Sequence, residues 1–323
     1  MISKFTFERP GSRHTCPSCG HRREFTRYVD LETGELLPDH VGRCNRQDKC
    51  GYHYSASDYL RDNQIKGFSR PYVAAPIRIT RPEPSFLPWS LLDASIGDRG
   101  ENFFLEWLSG MFPSDTVSSL VSRYNLGTAL RPWKGSVIFW QVDVNGNVRT
   151  GKVMLYNPNT GKRVKTPIDH FSWIHSLLSK AGKVSDFHLQ QCFFGEHLIK
   201  GADRIAIVES EKTAILASVY FSRFTWIASG GLCNLTREKA RVLAGKQVYL
   251  FPDKGCYNEW SKRANEIREF ARVEVSDYLE LMDDKPTGYD LADLLTEIPR
   301  FDRLADGTEI KLHPGGFPAD WAA

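Results

Sequence analysis

The sequence contains no apolar run approaching the roughly 18 residues that a membrane-spanning helix needs. Its first residues, MISKFTFERPG, also lack the apolar segment that opens a secretory signal. Nothing here suggests a membrane protein or a secretory signal, and a reducing, cytoplasmic location is expected. Net charge is scarce too: 42 Lys and Arg against 39 Asp and Glu leave +3 at pH 7. So small a total does not itself point to a polyanionic partner, which would be met by local basic surfaces. Such a surface is available in residues 11–81, where Arg13, Arg22, Arg23, Arg27, Arg43, Arg46, Lys49 and Arg61 accumulate, whereas residues 274–293 are dominated by acids. Cysteine is sparse beyond residue 50: Cys192, Cys233 and Cys256 are scattered, and the other four of the seven precede them. An odd, lopsided set argues against a secreted disulfide framework and for a local zinc site.

What is present divides a 323-residue chain, longer than one typical domain, into segments. Residues 1–66 hold two cysteine pairs, Cys16/Cys19 and Cys44/Cys50, each followed by glycine, Gly20 and Gly51. Thiolates in two such knuckles about 25 residues apart suit a four-coordinate structural zinc, with Phe25–Val29 and His40–Arg43 as the hairpin arms between them. His14, His21, His40 and His53 lie close enough in sequence for a mixed cysteine and histidine site as the alternative. Arg22, Arg23, Arg43 and Arg46, with the nearby aromatics, are candidate nucleic-acid contacts or simply the exposed face of a small ribbon. Residues Ser57–Asn63 read as a short helix capped by Ser55 or Ser57.

Prolines at 71, 76, 82, 84 and 88 make residues 67–92 an extended tether. In residues 93–185, Asn102–Leu108 and Ser114–Tyr124 read as two helices whose core includes Trp89, Trp107 and Phe112. Residues Ser136–Tyr156 alternate around Asn145-Gly146 as a strand meander. Lys134, Arg149, Lys152, Lys162, Arg163 and Lys165 decorate this region, as a phosphate-binding face or as solvated strand positions. A short helix is expected over Asp169–Leu178, and a strand or connecting helix over Phe187–Phe194.

Residues 186–299 alternate strand and helix: strands at Ile205–Val208, Phe224–Ala228, Val248–Phe251 and Val273–Ser276, and helices from Lys212, from Thr236 to Leu243, and over Glu259–Ala271, with Lys239 on the polar side of the second. This βαβα order predicts a parallel sheet flanked by helices, an α/β fold. Ligand groups gather at the carboxyl ends of such strands. Glu209 and Asp253 fall there, with Asp290 and Asp293 in the terminal segment, and together they are candidate ligands for Mg²⁺, which prefers oxygen donors. Lys212 is placed to meet a phosphate. Residues 300–323 form a C-terminal extension.

Several segments resemble the primase-like proteins that carry a Toprim domain, the fold of bacterial DnaG-type primases and topoisomerases, and in particular the Toprim-like proteins of Bacteroidetes genomes and mobile elements. The cysteine pairs followed by the helix at Asp58 are similar to the primase zinc ribbon, and Val137–Leu155 to the strand-rich region that precedes Toprim. IAIVESEKTA is similar to the first Toprim motif, VYLFPDKG to the second and YDLADLL to the segment after it. The resemblance implies an N-terminal zinc ribbon, a strand-rich middle region and a Toprim-like parallel sheet. It further implies binding to single-stranded DNA, Mg- or Mn-dependent nucleotidyl transfer with Glu209 and Asp253 as its acidic residues, and partnership with a replicative helicase or mobile-element proteins. The chain departs from the pattern twice. Ser210 stands where the family has glycine, and Asp253-Lys254-Gly255 stands where it has Asp-x-Asp. Either Glu259, Asp290 and Asp293 replace the missing ligand, or catalysis is lost.

Overall fold

The computed structural model describes residues 4–8, 12–46, 49–63, 83–97 and 100–297. Most of the expected tether (67–82) and the C-terminal extension (300–323) lie outside the described residues. The chain divides into two compact units, Met1–Arg81 and Pro82–Ala323.

The first unit is a four-stranded antiparallel sheet in the order β1 (Phe5–Phe7), β2 (Phe25–Asp30), β3 (Gly42–Cys44), β4 (His53–Tyr54). Pairing of Phe25 with Cys44 and Thr26 with Arg43 closes the β2–β3 arms over the cysteines. Helix α1 (Ala56–Asp62) follows, with the Ser55 hydroxyl accepting from the Asp58 amide.

The second unit begins with α2 (Trp89–Asp93), α3 (Phe103–Ser109) and α4 (Ser114–Tyr124). Asn102 caps α3 through the Leu105 amide. Trp107 and Phe112 are buried as expected, but Trp89 is 44% exposed and instead donates its indole N–H to the Gly146 carbonyl. Strands β5 (Leu126–Ala129), β6 (Ser136–Val142), β7 (Val148–Met154) and β8 (Phe171–Trp173) make an antiparallel sheet in chain order, and α5 (Ile174–Lys180) follows. A helix expected from Asp169 is thus displaced: Phe171–Trp173 are drawn into extended pairing with Met154–Lys152, and the helix starts only afterwards. Every residue of β6 is buried. Val137 and Phe139 face one apolar cluster and Ile138, Trp140 and Val142 another, so this sheet is covered on both sides.

The third sheet is fully parallel, in the order β10-β9-β11-β12. Its elements run β9 (Arg204–Val208), α6 (Glu211–Tyr220), β10 (Thr225–Ala228), α7 (Arg237–Ala240), β11 (Gln247–Leu250), α8 (Tyr257–Ile267), β12 (Arg272–Val275) and α9 (Leu291–Glu297). Ile205 and Ile207 of β9 pack into one layer, Ala206 and Val208 into the other, as expected for a strand buried on both faces. Phe187–Phe194 forms no regular element; Phe194 bridges Ala228 of β10, and a 3₁₀ turn, Glu196–Leu198, follows. Phe139 of the antiparallel sheet and Phe194, Val208 and Trp226 beside the parallel one share one core, so residues 93–185 and 186–299 are packed together. No helix among the described residues is long and apolar enough to cross a membrane.

Candidate functional site

The two cysteine pairs converge. Cys16, Cys19, Cys44 and Cys50 place their Sγ atoms within 4.8 Å of one another, with Cys16 to Cys50 at 3.8 Å and Cys19 to Cys44 at 4.0 Å. Four sulfurs about 2.3 Å from a central zinc in a tetrahedron lie roughly 3.8 Å apart, so these side chains fit the ion. Gly20 and Gly51 adopt φ of +68° and +65°, the left-handed turn each knuckle needs after its second cysteine. The thiols are held in conflict without a cation. The His21 backbone amide pulls Cys19 down to about 6, while burial pushes Cys44 up to about 12. A bound divalent ion favours the thiolate at all four. No histidine joins the cluster: His14 is bound to Glu8, His21 to the Cys19 carbonyl and His53 to Tyr28, while His40 stacks on Tyr54.

Of the ribbon cations, Arg22 and Arg23 are exposed, and Arg43 and Arg46 half-buried. The Arg43 guanidinium lies over Phe7, 4.9 Å from the ring centroid, and Phe7 stacks on Tyr28 at 4.3 Å.

In the second unit, β9 and β11 are neighbours, with Ile207 level with Leu250. Glu209 and Asp253 leave these adjacent strands at one rim. Ser210 then starts α6, its hydroxyl accepting from the Thr213 amide at 3.2 Å. Ser210 is therefore a helix cap, at φ −104°, where no glycine is required. Asp290 and Asp293 form a reciprocal capping pair at α9: the Asp293 amide donates to Asp290 Oδ1 at 2.7 Å and the Asp290 amide to Asp293 Oδ2 at 3.3 Å. The remaining oxygen of Asp290 accepts from the Thr213 hydroxyl at 3.0 Å.

Burial, then the charges of Asp290, Glu209 and Asp293, push Asp253 up to about 8, with Lys212 opposing the rise. Burial also raises Glu209 and Asp290, and Lys212 is the main charge working against the shift at Asp290. The rim is thus a crowd of carboxylates moderated by two lysines, Lys152 at Glu209 and Lys212 at Asp253 and Asp290, and the Lys212 ammonium also sits 5.9 Å from the Trp107 ring. Among the described residues, however, the cysteine cluster is the only group of three or more potential ligands whose atoms all lie within 4.8 Å. The rim carboxylates supply the hard oxygens that Mg²⁺ or Mn²⁺ takes, but too dispersed to enclose an ion, so water or substrate oxygens must complete its shell.

The departure at Asp253-Lys254-Gly255 has a definite geometry. Lys254 does not face the carboxylates; its ammonium donates to the Glu280 carbonyl at 3.0 Å. The Gly255 amide donates to the Glu280 carboxylate at 2.7 Å. Gly255 itself has φ +88°, and a Cβ there would meet Thr287 Cγ2 at 2.7 Å. Glu259, considered as a substitute ligand, instead pairs along α8 with Lys262 and Arg263.

The basic residues of the antiparallel sheet do not form one open face. Lys152 is opposite Phe139 in a buried layer, and its ammonium is 3.0 Å from both carboxylate oxygens of Glu211, with side-chain exposures of 11% and 2%. Arg149 is tied to the buried Asp143 at 2.7 Å. Lys134 pairs with Glu101 and Arg163 with Asp169, which leaves Lys162 and Lys165 exposed. Alternation fails as a guide here because the sheet is covered on both sides. Lys239 is corrected likewise: it is half-buried, donates to the Ser229 carbonyl at 2.9 Å and lies over Phe193, and desolvation lowers it to about 8.

Sequence reasoning missed Glu211, Asp143 and Glu196. Glu196 accepts from the Phe193 and Val144 amides. An acid in the first turn of a capped helix was the one local signal for Glu211; its partner is 59 residues away.

A family described as a domain of unknown function, DUF6371, matches residues 102–254, and a zinc beta-ribbon finger family matches residues 3–65. No curated protein matches the chain. Among solved structures, the primase fragment of the bacteriophage T7 primase-helicase protein is similar at 14% identity and a TM-score of 0.36, covering 84% of this chain and 90% of that one. The zinc-binding and RNA polymerase domains of the Aquifex aeolicus primase are similar at 16% identity and a TM-score of 0.37, covering 90% and 77%. The DnaG catalytic core follows at 11% identity and a TM-score of 0.38, covering 62% and 68%.

Proposed function

We propose that this chain is a primase-like nucleic-acid-binding protein that performs Mg- or Mn-dependent nucleotidyl transfer on single-stranded DNA. The observation that carries the reading is the rim itself. Glu209 and Asp253 end adjacent parallel strands, Asp253 is driven far from its ordinary value by burial and then by neighbouring acids, and Lys254, the residue expected to oppose a cation there, is tied away from it. The zinc ribbon ahead of a strand-rich region and this rim repeats the primase order.

A divalent ion at the rim would neutralise charge developing on a transferring phosphoryl group and orient its oxygens. Glu209 and Asp253 would hold that ion through carboxylate oxygens. Lys212, on the first turn of α6, would meet a substrate phosphate as a point charge. Asp290 acts by position, bracing Thr213 and α6 against α9. The exposed Arg22 and Arg23 of the ribbon, Arg43 and Arg46 beside them, and Lys162 and Lys165 of the second unit would contact the strand's phosphates, a salt-dependent attraction. A cytoplasmic setting with a replicative helicase or mobile-element proteins as partners belongs to the same reading.

One observation favours a second reading, a DNA-binding accessory protein whose sheet has lost catalysis: the rim lacks a third converging carboxylate, and position 255 has no room for one. A synthesis and cleavage assay on single-stranded DNA with Mg²⁺ or Mn²⁺ separates the two. Nucleotide incorporation by the intact chain that disappears in Glu209→Ala and Asp253→Ala is expected. Salt-sensitive DNA binding that survives both substitutions, with no incorporation, would establish the accessory role; cleavage lost in the same variants would mark a nuclease.

A further inference from the structure

The opposite edge of the parallel sheet carries a second concentration of charge. Strands β9, β11 and β12 begin with Arg204, Gln247 and Arg272, which stand level with one another in the sheet register. Level residues of parallel strands project to the same face, so the two guanidinium groups flank the Gln247 amide about two strand spacings apart, roughly 10 Å. Neither guanidinium group makes a hydrogen bond or ion pair among the described residues. Both are exposed. They line a cavity of about 800 Å³ together with Arg268 and Phe270. Arg268 is already oriented, its Nε donating to the Val273 carbonyl and its Nη1 to Asn265 Oδ1. Of the two acids on the lining, Glu269 is neutralised by Arg237, which leaves Asp203 against three guanidiniums. The strand-initial amides of Gln247 and Arg272 are spent on the Asp203 and Lys246 carbonyls, so recognition falls to side chains.

We infer that this cavity binds a nucleoside polyphosphate, its phosphates forked by Arg204 and Arg272 and its base resting toward Phe270. Guanidinium groups suit phosphate oxygens because their N–H donors match the spacing of two oxygens at once. The volume falls within the roughly 300–1,000 Å³ of small-molecule sites, and three guanidiniums gathered on one edge match the clustered charge of a compact polyphosphate. The site is separate from the carboxylate rim, at the other end of the same strands, and does not rest on the rim's chemistry. Occupancy there gives the sheet a nucleotide-responsive edge.

The test is calorimetric titration of the full chain with ATP, with no added divalent metal and no chelator, so that the zinc cluster is preserved. One ATP per chain is expected, displaced by inorganic pyrophosphate, with affinity at least 10-fold weaker in Arg204→Ala/Arg272→Ala. If the alanine pair melts below the parent, Arg204→Lys/Arg272→Lys replaces it, with a smaller loss in the same direction expected. Equal affinity in parent and double variant overturns the inference, as does loss of ATP binding in Glu209→Ala alone. A single-stranded oligonucleotide that binds through these arginines where ATP does not would overturn it in favour of a strand contact.

Discussion

The cysteine cluster and the carboxylate rim are both candidate metal centres, yet they are built on opposite principles. The four sulfurs converge on one point, and Cys16 and Cys44 are themselves the core of the ribbon with Phe25. The rim carboxylates sit at the ends of elements that stand without them, on a sheet whose core is apolar. A small sheet with few apolar residues needs its ion to fold, whereas a large core can hold uncompensated acids apart and leave their neutralisation to whatever binds.

The largest expected effect tests the first half of that contrast. Stripping zinc with a chelator, or Cys16→Ser with Cys44→Ser, should unfold the ribbon, because apparent zinc binding energies in such modules are about 10–16 kcal/mol. Hydrogen exchange should rise to unprotected rates at residues 25–44 and stay slow over 204–208; slow exchange at both would remove the ion from the folding energy.

Next is the buried pair that ties the two sheets of the second unit. Lys152→Met alone should cost about 3–5 kcal/mol in urea denaturation by stranding the Glu211 carboxylate. Lys152→Met combined with Glu211→Leu should recover most of it. A double variant as unstable as the single would show that the pair contributes beyond mutual neutralisation.

Asp253→Asn should act with the opposite sign. The folded Asp253 titrates near 8, above its ordinary 3.8, so the folded chain binds the extra proton between those values. Its stabilising contribution is complete below about pH 3.8 and is lost as pH rises towards 8. Without added Mg²⁺, the asparagine variant should therefore melt higher than the parent at pH 8, with a smaller difference at pH 5. Added Mg²⁺ should raise the melting temperature of the parent only. Equal Mg²⁺ responses would place the ion elsewhere.

The smallest change concerns Ser210→Gly at the start of α6. Since serine and glycine both serve as helix caps, a loss of only a few tenths of a kcal/mol is expected, against about 1 kcal/mol for Ser210→Ala. Thermal melts of the two variants check the ranking.

These contrasts also explain what could be read from the residues alone. Cys16, Cys19, Cys44 and Cys50 were legible because ligand spacing is local, and Ile205–Val208 because a strand covered on both faces is apolar throughout. Glu209 and Asp253 were placed at strand ends by the βα alternation. Lys152 was misread as a surface cation because the partner it is buried with, Glu211, comes from a distant segment. Phe171–Trp173 was read as helix because the pairing that extends it is made by β7, not by its own sequence.

Gly255 limits what the rim can be rebuilt into. A side chain there would need both a left-handed backbone and the space that Thr287 fills. An acid introduced at 255 alone would meet both obstacles, so a third carboxylate at the rim needs a smaller residue at 287 as well and a backbone that accepts the turn.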